Sequence, residues 1–159
     1  MTNIKLIEKE FLKESNAIEG VYDRDSFKQA IYAWEYLKKQ GELTPNVILR
    51  THQILMKNHL PGEAGHFRRC QVLVGGHEGE DWHSIPESIV RWCSWAGKVF
   101  NWERIKLGHV EFERIHPFID GNGRVGRMLM NWQRLKVEIP VLVIREAEKQ
   151  AYYDWFDII

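Results

Sequence analysis

One twelve-residue stretch, HPFIDGNGRVGR at 116–127, gathers the residue types that chemistry on an anion requires. Gly121 and Gly123, flanking Asn122, can take backbone angles closed to residues with a side chain. Consecutive N–H groups could then turn inward as an anion-binding nest at a helix start, and phosphate is the natural guest. Arg124 and Arg127 lie three apart, so they share a face of the first helical turns, where the dipole disfavours a cation by about 0.3–1 kcal/mol each. That placement makes sense if phosphates occupy the junction and each guanidinium grips their oxygens through paired, charge-assisted hydrogen bonds. Asp120 would repel such a guest unless a divalent cation stood between them. Magnesium typically takes one or two carboxylates plus phosphate oxygens, so the spacing predicts a magnesium nucleotide with Asp120 on the metal. His116 can accept a hydroxyl proton near neutral pH, as a nucleophile attacking phosphorus requires.

Each of these residues has a plainer reading alone: a turn, a packed histidine, two solvated arginines. Their order across one junction favours a site, because the plainer readings leave the carboxylate and the same-face arginines as coincidence. Phe118 reads as a core anchor that fixes the loop, with Pro117 and Ile119 as shape and packing.

The motif must be held by helices. Ile4, Ile7, Phe11 and Ile18 recur at helical spacing until Gly20; Phe27, Ile31, Trp34 and Leu37 do so ahead of Gly41; Thr44 and Pro45 cap a third helix over 48–56. After Gly62 and Gly65, RRCQVLVGG clusters β-formers before a glycine pair, as in a short strand or hairpin. Ser84 and Pro86 open a helix carrying Ile89, Trp92, Ala96 and Val99, and another runs over 110–115 into the motif. Val125, Met128, Leu129, Trp132 and Leu135 mark a helix beyond it, ended before Pro140, and 147–156 reads as a last short helix. The motif is thereby a helix–loop–helix junction in a mainly all-α chain.

The chain has 159 residues, enough for one domain over 1–159 that buries roughly two thirds of its unfolded surface. Lys+Arg and Asp+Glu both total 22, so no global field draws in nucleic acid or an anionic membrane, and any function based on charge is local. Cys70 and Cys93 form no disulfide framework and have no metal-ligand spacing around them, which fits a cytoplasmic protein. The charged N-terminus has no apolar signal core, and no apolar run approaches the length of a membrane span.

With these residues in view, HPFIDGNGRVGR resembles the signature of the Fic (filamentation induced by cAMP) family, H-P-F-x-[DE]-G-N-G-R-x-x-R, at every specified position. The segment 65–76 is similar to the family's flap, and Tyr152-Tyr153 to its C-terminal helix. The resemblance implies a Fic-like helical bundle with one small β-hairpin flap. It also implies transfer of a nucleotide monophosphate, usually AMP from ATP, to a Ser, Thr or Tyr hydroxyl of a protein target. By it, His116 is the base, Asp120 holds magnesium between the α- and β-phosphates, Asn122 and the amides of Gly121 to Gly123 orient the phosphates, and Arg124 and Arg127 hold the terminal ones. Relatives that phosphorylate have a bulkier, lysine-containing loop in place of Gly-Asn-Gly-Arg; the two glycines here leave room for the β- and γ-phosphates and offer the α-phosphate to the nucleophile.

SNAIEG at 15–20 resembles the family's inhibitory motif, [ST]-x-x-x-E-[GN], here in an N-terminal helix over 1–20. Helical geometry puts Ser15 within the apolar arc of that helix with Glu19 bordering it, and a carboxylate at a helix C-terminus wants a cation. The expected partner is Arg127, with Glu19 standing where the γ-phosphate would bind. The plainer reading is a capping arrangement with Glu19 solvated. The flap residues Val72, Leu73 and Val74 would offer a strand edge to the target, or simply cover the core.

Trp34, Trp92, Trp95, Trp102 and Trp132 read as core or interface, and His52, His109 and Glu113 as polar support within the core. The expected partner is a protein, with no membrane and no direct nucleic acid, and self-association is left open. Two alternatives stand beside the transferase: removal of AMP or use of another nucleotide such as UTP, and, in a different class, a non-catalytic nucleotide sensor or interaction module. A sensor needs the anion nest but no base.

Overall fold

A computed structural model describes residues 4–98 and 101–157. Helices α1 (Leu6–Ile18), α2 (Arg24–Lys38) and α3 (Pro45–Met56) come first, and a two-stranded hairpin of β1 (Leu73–Val74) and β2 (His77–Glu78) follows. Helices α4 (Ile85–Ala96), α5 (Trp102–Ile115), α6 (Asn122–Lys136) and the short α7 (Lys149–Tyr153) complete the chain. The mainly all-α reading with one small hairpin therefore stands. None of these helices is long and apolar enough to cross a membrane.

Local chemistry explains the boundaries. Asp23 caps α2 by accepting from the Ser26 N–H at 2.9 Å, and Thr44 caps α3 by accepting from Val47 at 3.2 Å, with Pro45 in the first turn. At α4 the expected cap moves: the Ser84 side chain makes no capping bond, and Asp81 instead accepts from His83 N at 3.1 Å to close a 3₁₀ turn, Trp82–Ser84, that leads into the helix. Helix α5 begins eight residues earlier than its predicted start at 110, with Asn101 accepting from Arg104 N at 3.0 Å. The glycine within it is a packing choice, because a Cβ at Gly108 would lie 3.0 Å from the Trp95 ring. The predicted last helix is three short pieces, two 3₁₀ turns (Glu146–Glu148 and Asp154–Phe156) flanking α7.

The core is one continuous cluster that includes Phe11, Trp34, Leu55, Ile89, Phe112 and Leu129. A smaller cluster of Ile18, Ile105, Met130, Ile144 and Tyr152 ties the C-terminal segment to α1, α5 and α6. Trp34, Trp92 and Trp132 are buried and Trp95 and Trp102 half-buried, as core tryptophans should be. Three residues read as packing face solvent instead: Ile7 is 46% exposed on α1, Ile119 is 43% exposed at the rim of the motif loop, and Leu135 is 39% exposed near the end of α6. Val99, placed on the fourth helix by its spacing, lies outside the described residues.

Candidate active site

The loop between α5 and α6 is fixed from within. Phe118 is fully buried and stacks on His52 with ring centroids 3.7 Å apart. The Gly65 N–H donates to His52 Nδ1 at 3.0 Å, so the ring proton sits on Nε2, which donates to the Asp120 carbonyl at 2.9 Å. Burial depresses the His52 pKa to about 4, so this brace is neutral. Asn122, expected among the phosphate ligands, is buried and uses both polar atoms of its side chain on Phe118. Oδ1 accepts from Phe118 N and Nδ2 donates to Phe118 O, each at 2.8 Å. It shapes the loop, and its backbone N–H and the second N–H of Nδ2 are left for a guest.

His116 caps the end of α5 in the left-handed region, φ +49, and its N–H donates to Phe112 O at 3.1 Å. The imidazole Nδ1 lies 3.3 Å from the Glu113 carbonyl. A carbonyl can only accept, so Nδ1 carries the proton and the Nε2 lone pair is free. Burial holds the His116 pKa below its ordinary value; the Glu113 carbonyl opposes this and the nearby Arg68 charge reinforces it. The ring is thus a neutral base at pH 7.

Gly121 turns the chain into α6 with φ +86, where a Cβ would also meet Met56 Sδ at 3.0 Å. The predicted glycine nest narrows to this residue, because Gly123 already sits in the first turn of α6. At the N-terminus of α6 the amides of Asn122, Gly123 and Arg124 have no acceptor in their own helix, an arrangement suited to an anion. Gly123 is bare because the carboxylate of Glu19 lies over it: a Cβ there would collide with Glu19 Oε1 and stand 2.9 Å from Arg127 Nη1.

The two arginines share a helix face but do different work. Arg124 is 4% exposed and donates from Nη2 to Met56 Sδ at 3.3 Å, while its buried Nε and Nη1 have no partner. A buried guanidinium with two unpartnered nitrogens is a costly arrangement that an anion would relieve. Arg127 is fully engaged. Nε donates to Ser15 Oγ at 2.8 Å, Nη2 to Ser15 O at 3.0 Å and to Glu19 Oε1 at 2.7 Å, and Nη1 to Tyr152 Oη at 3.2 Å. Burial works against its charge, but Tyr152 and Glu19 outweigh burial and hold its pKa above the usual arginine value. The predicted Ser15–Glu19–Arg127 cluster is therefore assembled, and Glu19 at the end of α1 gains the favourable N-terminus of α6.

Asp120 is exposed, with Oδ1 accepting from Gly121 N at 2.8 Å. No group of three or more His, Cys, Asp or Glu side chains able to hold a metal occurs among the described residues. One carboxylate at the rim of an anion site suits magnesium that arrives on a nucleotide rather than a cation the protein holds alone. The hairpin runs to Glu78, two residues beyond the predicted flap; Val72 O accepts from Gly79 N at 2.8 Å, and Leu73 is 71% exposed on β1.

Sequence reasoning missed Tyr152 as part of the site. Its oxygen accepts from Arg127, leaving its O–H to donate to His109 Nε2 at 2.6 Å, and burial keeps His109 neutral with a pKa of about 3. Glu113, read as core support, has a buried Oε1 without a partner, packed where a Gly126 Cβ would be; burial pushes its pKa up to about 7.

Known proteins resemble this chain in sequence and in fold. A protein adenylyltransferase Fic from Aedes aegypti is 32% identical over 77% of this chain, which covers 26% of that protein, and one from Drosophila erecta is 34% identical over the same shares. The chain thus spans about a quarter of the length of the curated relatives it matches. The fold is shared with a Fic domain containing signaling protein from Bacteroides thetaiotaomicron, at a TM-score of 0.79 and 22% identity over 92% of this chain and 69% of that one. Fic-1 from C. elegans superposes at a TM-score of 0.79 and 19% identity, over 98% and 56% respectively. The Fic/DOC family profile matches residues 42–133, more than half of the chain and including the whole junction from His116 to Arg127, so this chain belongs to the Fic/DOC family.

Proposed function

We propose that the protein transfers AMP from ATP to a Ser, Thr or Tyr hydroxyl of a target protein and that Glu19 restrains the reaction. The observation that carries this reading is the N-terminus of α6. Arg124 is buried there with two unpartnered nitrogens, a carboxylate already stands over Gly123, and His116 presents a free Nε2 across the loop. The helix amides and Arg124 bind the phosphates, and Arg127 binds the terminal one once Glu19 has left it. His116 Nε2 takes the proton of the target hydroxyl as its oxygen bonds to the α-phosphorus, and the bond from the α-phosphorus to the bridging oxygen breaks to release pyrophosphate. Asp120 would hold magnesium, which supplies charge neutralisation between the phosphates when bound.

With Glu19 on Arg127 the γ-phosphate has no cation, so the productive pose is disfavoured while α1 stays docked. The exposed edge of β1 at Leu73 and Val74, with Val72 before it, is suited to align an extended target segment by main-chain pairing. We place the reaction in the cytoplasm, where ATP is abundant and the free Cys70 and Cys93 stay reduced. Support also comes from the names of the curated relatives, which are adenylyltransferases. The test is incubation of Glu19→Gly with cell lysate and each α-labelled nucleotide, followed by mass spectrometry. An AMP adduct on protein hydroxyls is expected, and adducts of another nucleotide, or none, would overturn the reading.

A further inference from the structure

Arg68 is 1% exposed and no carboxylate among the described residues pairs with it, which for an isolated buried charge would cost several kcal/mol. Main-chain oxygens satisfy it instead. Nε donates to His116 O at 2.7 Å, Nη2 to Ile115 O at 3.4 Å, and the backbone N–H of Arg68 to Pro117 O at 2.9 Å. Ile115 O and His116 O stand at the open end of α5, where the helix dipole is negative and a cation is welcome, and Pro117 O begins the loop after it. The other side of the guanidinium reaches the flap. Nη1 donates to Cys70 O at 2.8 Å and Nη2 to Glu80 O at 2.6 Å, the two legs from which the hairpin rises. The approach is close at Gly79, where a Cβ would lie 3.1 Å from Val72 Cγ2 and 3.3 Å from Nη2.

We infer that Arg68 is a positioning residue for the transfer reaction: one buried guanidinium locks the backbone of the base His116 to both legs of the flap, so that the base and the hairpin that aligns the target keep a fixed spacing. The inference rests on the proposed role of His116 as base. The left-handed backbone of His116, uncommon for a residue with a side chain, is the conformation that this grip would maintain. Arg68 lies outside the nucleotide site: its guanidinium contacts none of the α6 amides, and its acceptors are all on α5, its following loop and the flap legs. Its loss should therefore act on turnover and not on nucleotide affinity. Lysine keeps the charge but cannot reach acceptors on both sides with one ammonium, so it is the informative replacement.

The experiment compares Arg68→Lys and Arg68→Met, each in the Glu19→Gly background, with that parent. Calorimetry gives ATP affinity, initial rates give kcat and KM, hydrogen exchange reports on the amides of Val74 and Gly79, and NMR reads the His116 imidazole. With Arg68→Lys, kcat should fall about 100-fold, the effect of a displacement near 1 Å at the reacting groups, while ATP affinity stays within about twofold. The flap amides should exchange faster and the His116 ring signals should shift. An unchanged kcat, or losses of kcat and ATP affinity in parallel, would overturn the inference. Should Arg68→Met fail to fold, the lysine variant decides alone. Should the parent show no transfer, the proposed function fails separately, and the ring signals and flap exchange still decide whether Arg68 holds His116 to the hairpin.

Discussion

Replacing Glu19 tests whether a carboxylate competes with phosphate for one arginine. The contact joins Arg127, 3% exposed at the side chain, to Glu19, 37% exposed, at 2.7 Å. A charge-assisted bond to a buried group contributes about 1.5–3 kcal/mol, and the solvent reaching Glu19 reduces this to about 1.5 kcal/mol. A nucleotide whose terminal phosphate takes Arg127 must first displace that contact, so Glu19→Gly should bind ATP with magnesium about tenfold more tightly in calorimetry. It should raise the transfer rate at low ATP by a similar factor. Glu19→Gln keeps the shape but not the charge and should fall between the two. The fold should tolerate both changes, because α1 remains anchored through Phe11, Leu12 and Ile18 and Arg127 keeps Ser15 and Tyr152 as acceptors. Equal ATP affinity in the native protein and Glu19→Gly would refute the competition, and a glutamine variant indistinguishable from the native protein would show that charge is not its agent.

Asn122→Ala strands both main-chain groups of Phe118 in a buried loop and should cost about 2–3 kcal/mol, read as a Tm lower by about 6–10 °C; an unchanged Tm would contradict the loop-shaping role. Gly123→Ala in the Glu19→Gly background puts a methyl beside Arg127 Nη1 at the first turn of α6, so ATP affinity should fall at least about tenfold with the fold intact; retained affinity would move the phosphates elsewhere. Glu113 titrates at about 7 in the folded protein against 4.5 unfolded, so the folded state holds its proton across a window where the unfolded chain has lost it. Stability must then decline as pH rises from about 4.5 to 7, by about 3 kcal/mol from this group. Glu113→Gln should remove that slope in urea unfolding at pH 5 and pH 8, and a constant difference between variant and native protein would exclude it.

Local signals were readable in the chain and distant partners were not. The junction was legible because histidine, aspartate, glycines and arginines at fixed spacing have few joint explanations, and Thr44 with Pro45 announced α3 through capping chemistry that needs no tertiary contact. Glu19 and Arg127, 108 residues apart, are the exception: SNAIEG resembles the family's inhibitory motif, and a carboxylate at a helix C-terminus wants a cation. Arg68, Tyr152 and His109 carry no such local conflict. Their roles come from carbonyls and hydroxyls brought up by other segments. Asn122 reads as a ligand beside two glycines, and its second task, bonding both main-chain groups of Phe118, becomes visible only once the turn is folded. The predicted start at 110 falls just after Gly108, which the structure keeps inside α5 with the Trp95 ring against it.

The central claim is that the α6 N-terminus holds a triphosphate with its α-phosphorus toward His116. Incubating Glu19→Gly, and the same protein carrying His116→Ala, with α-labelled and γ-labelled ATP addresses it directly. Label is expected on protein hydroxyls from the α position only, and none in the His116→Ala protein even though that protein still binds ATP. Label from the γ position, or α-label that survives the loss of His116, would contradict it.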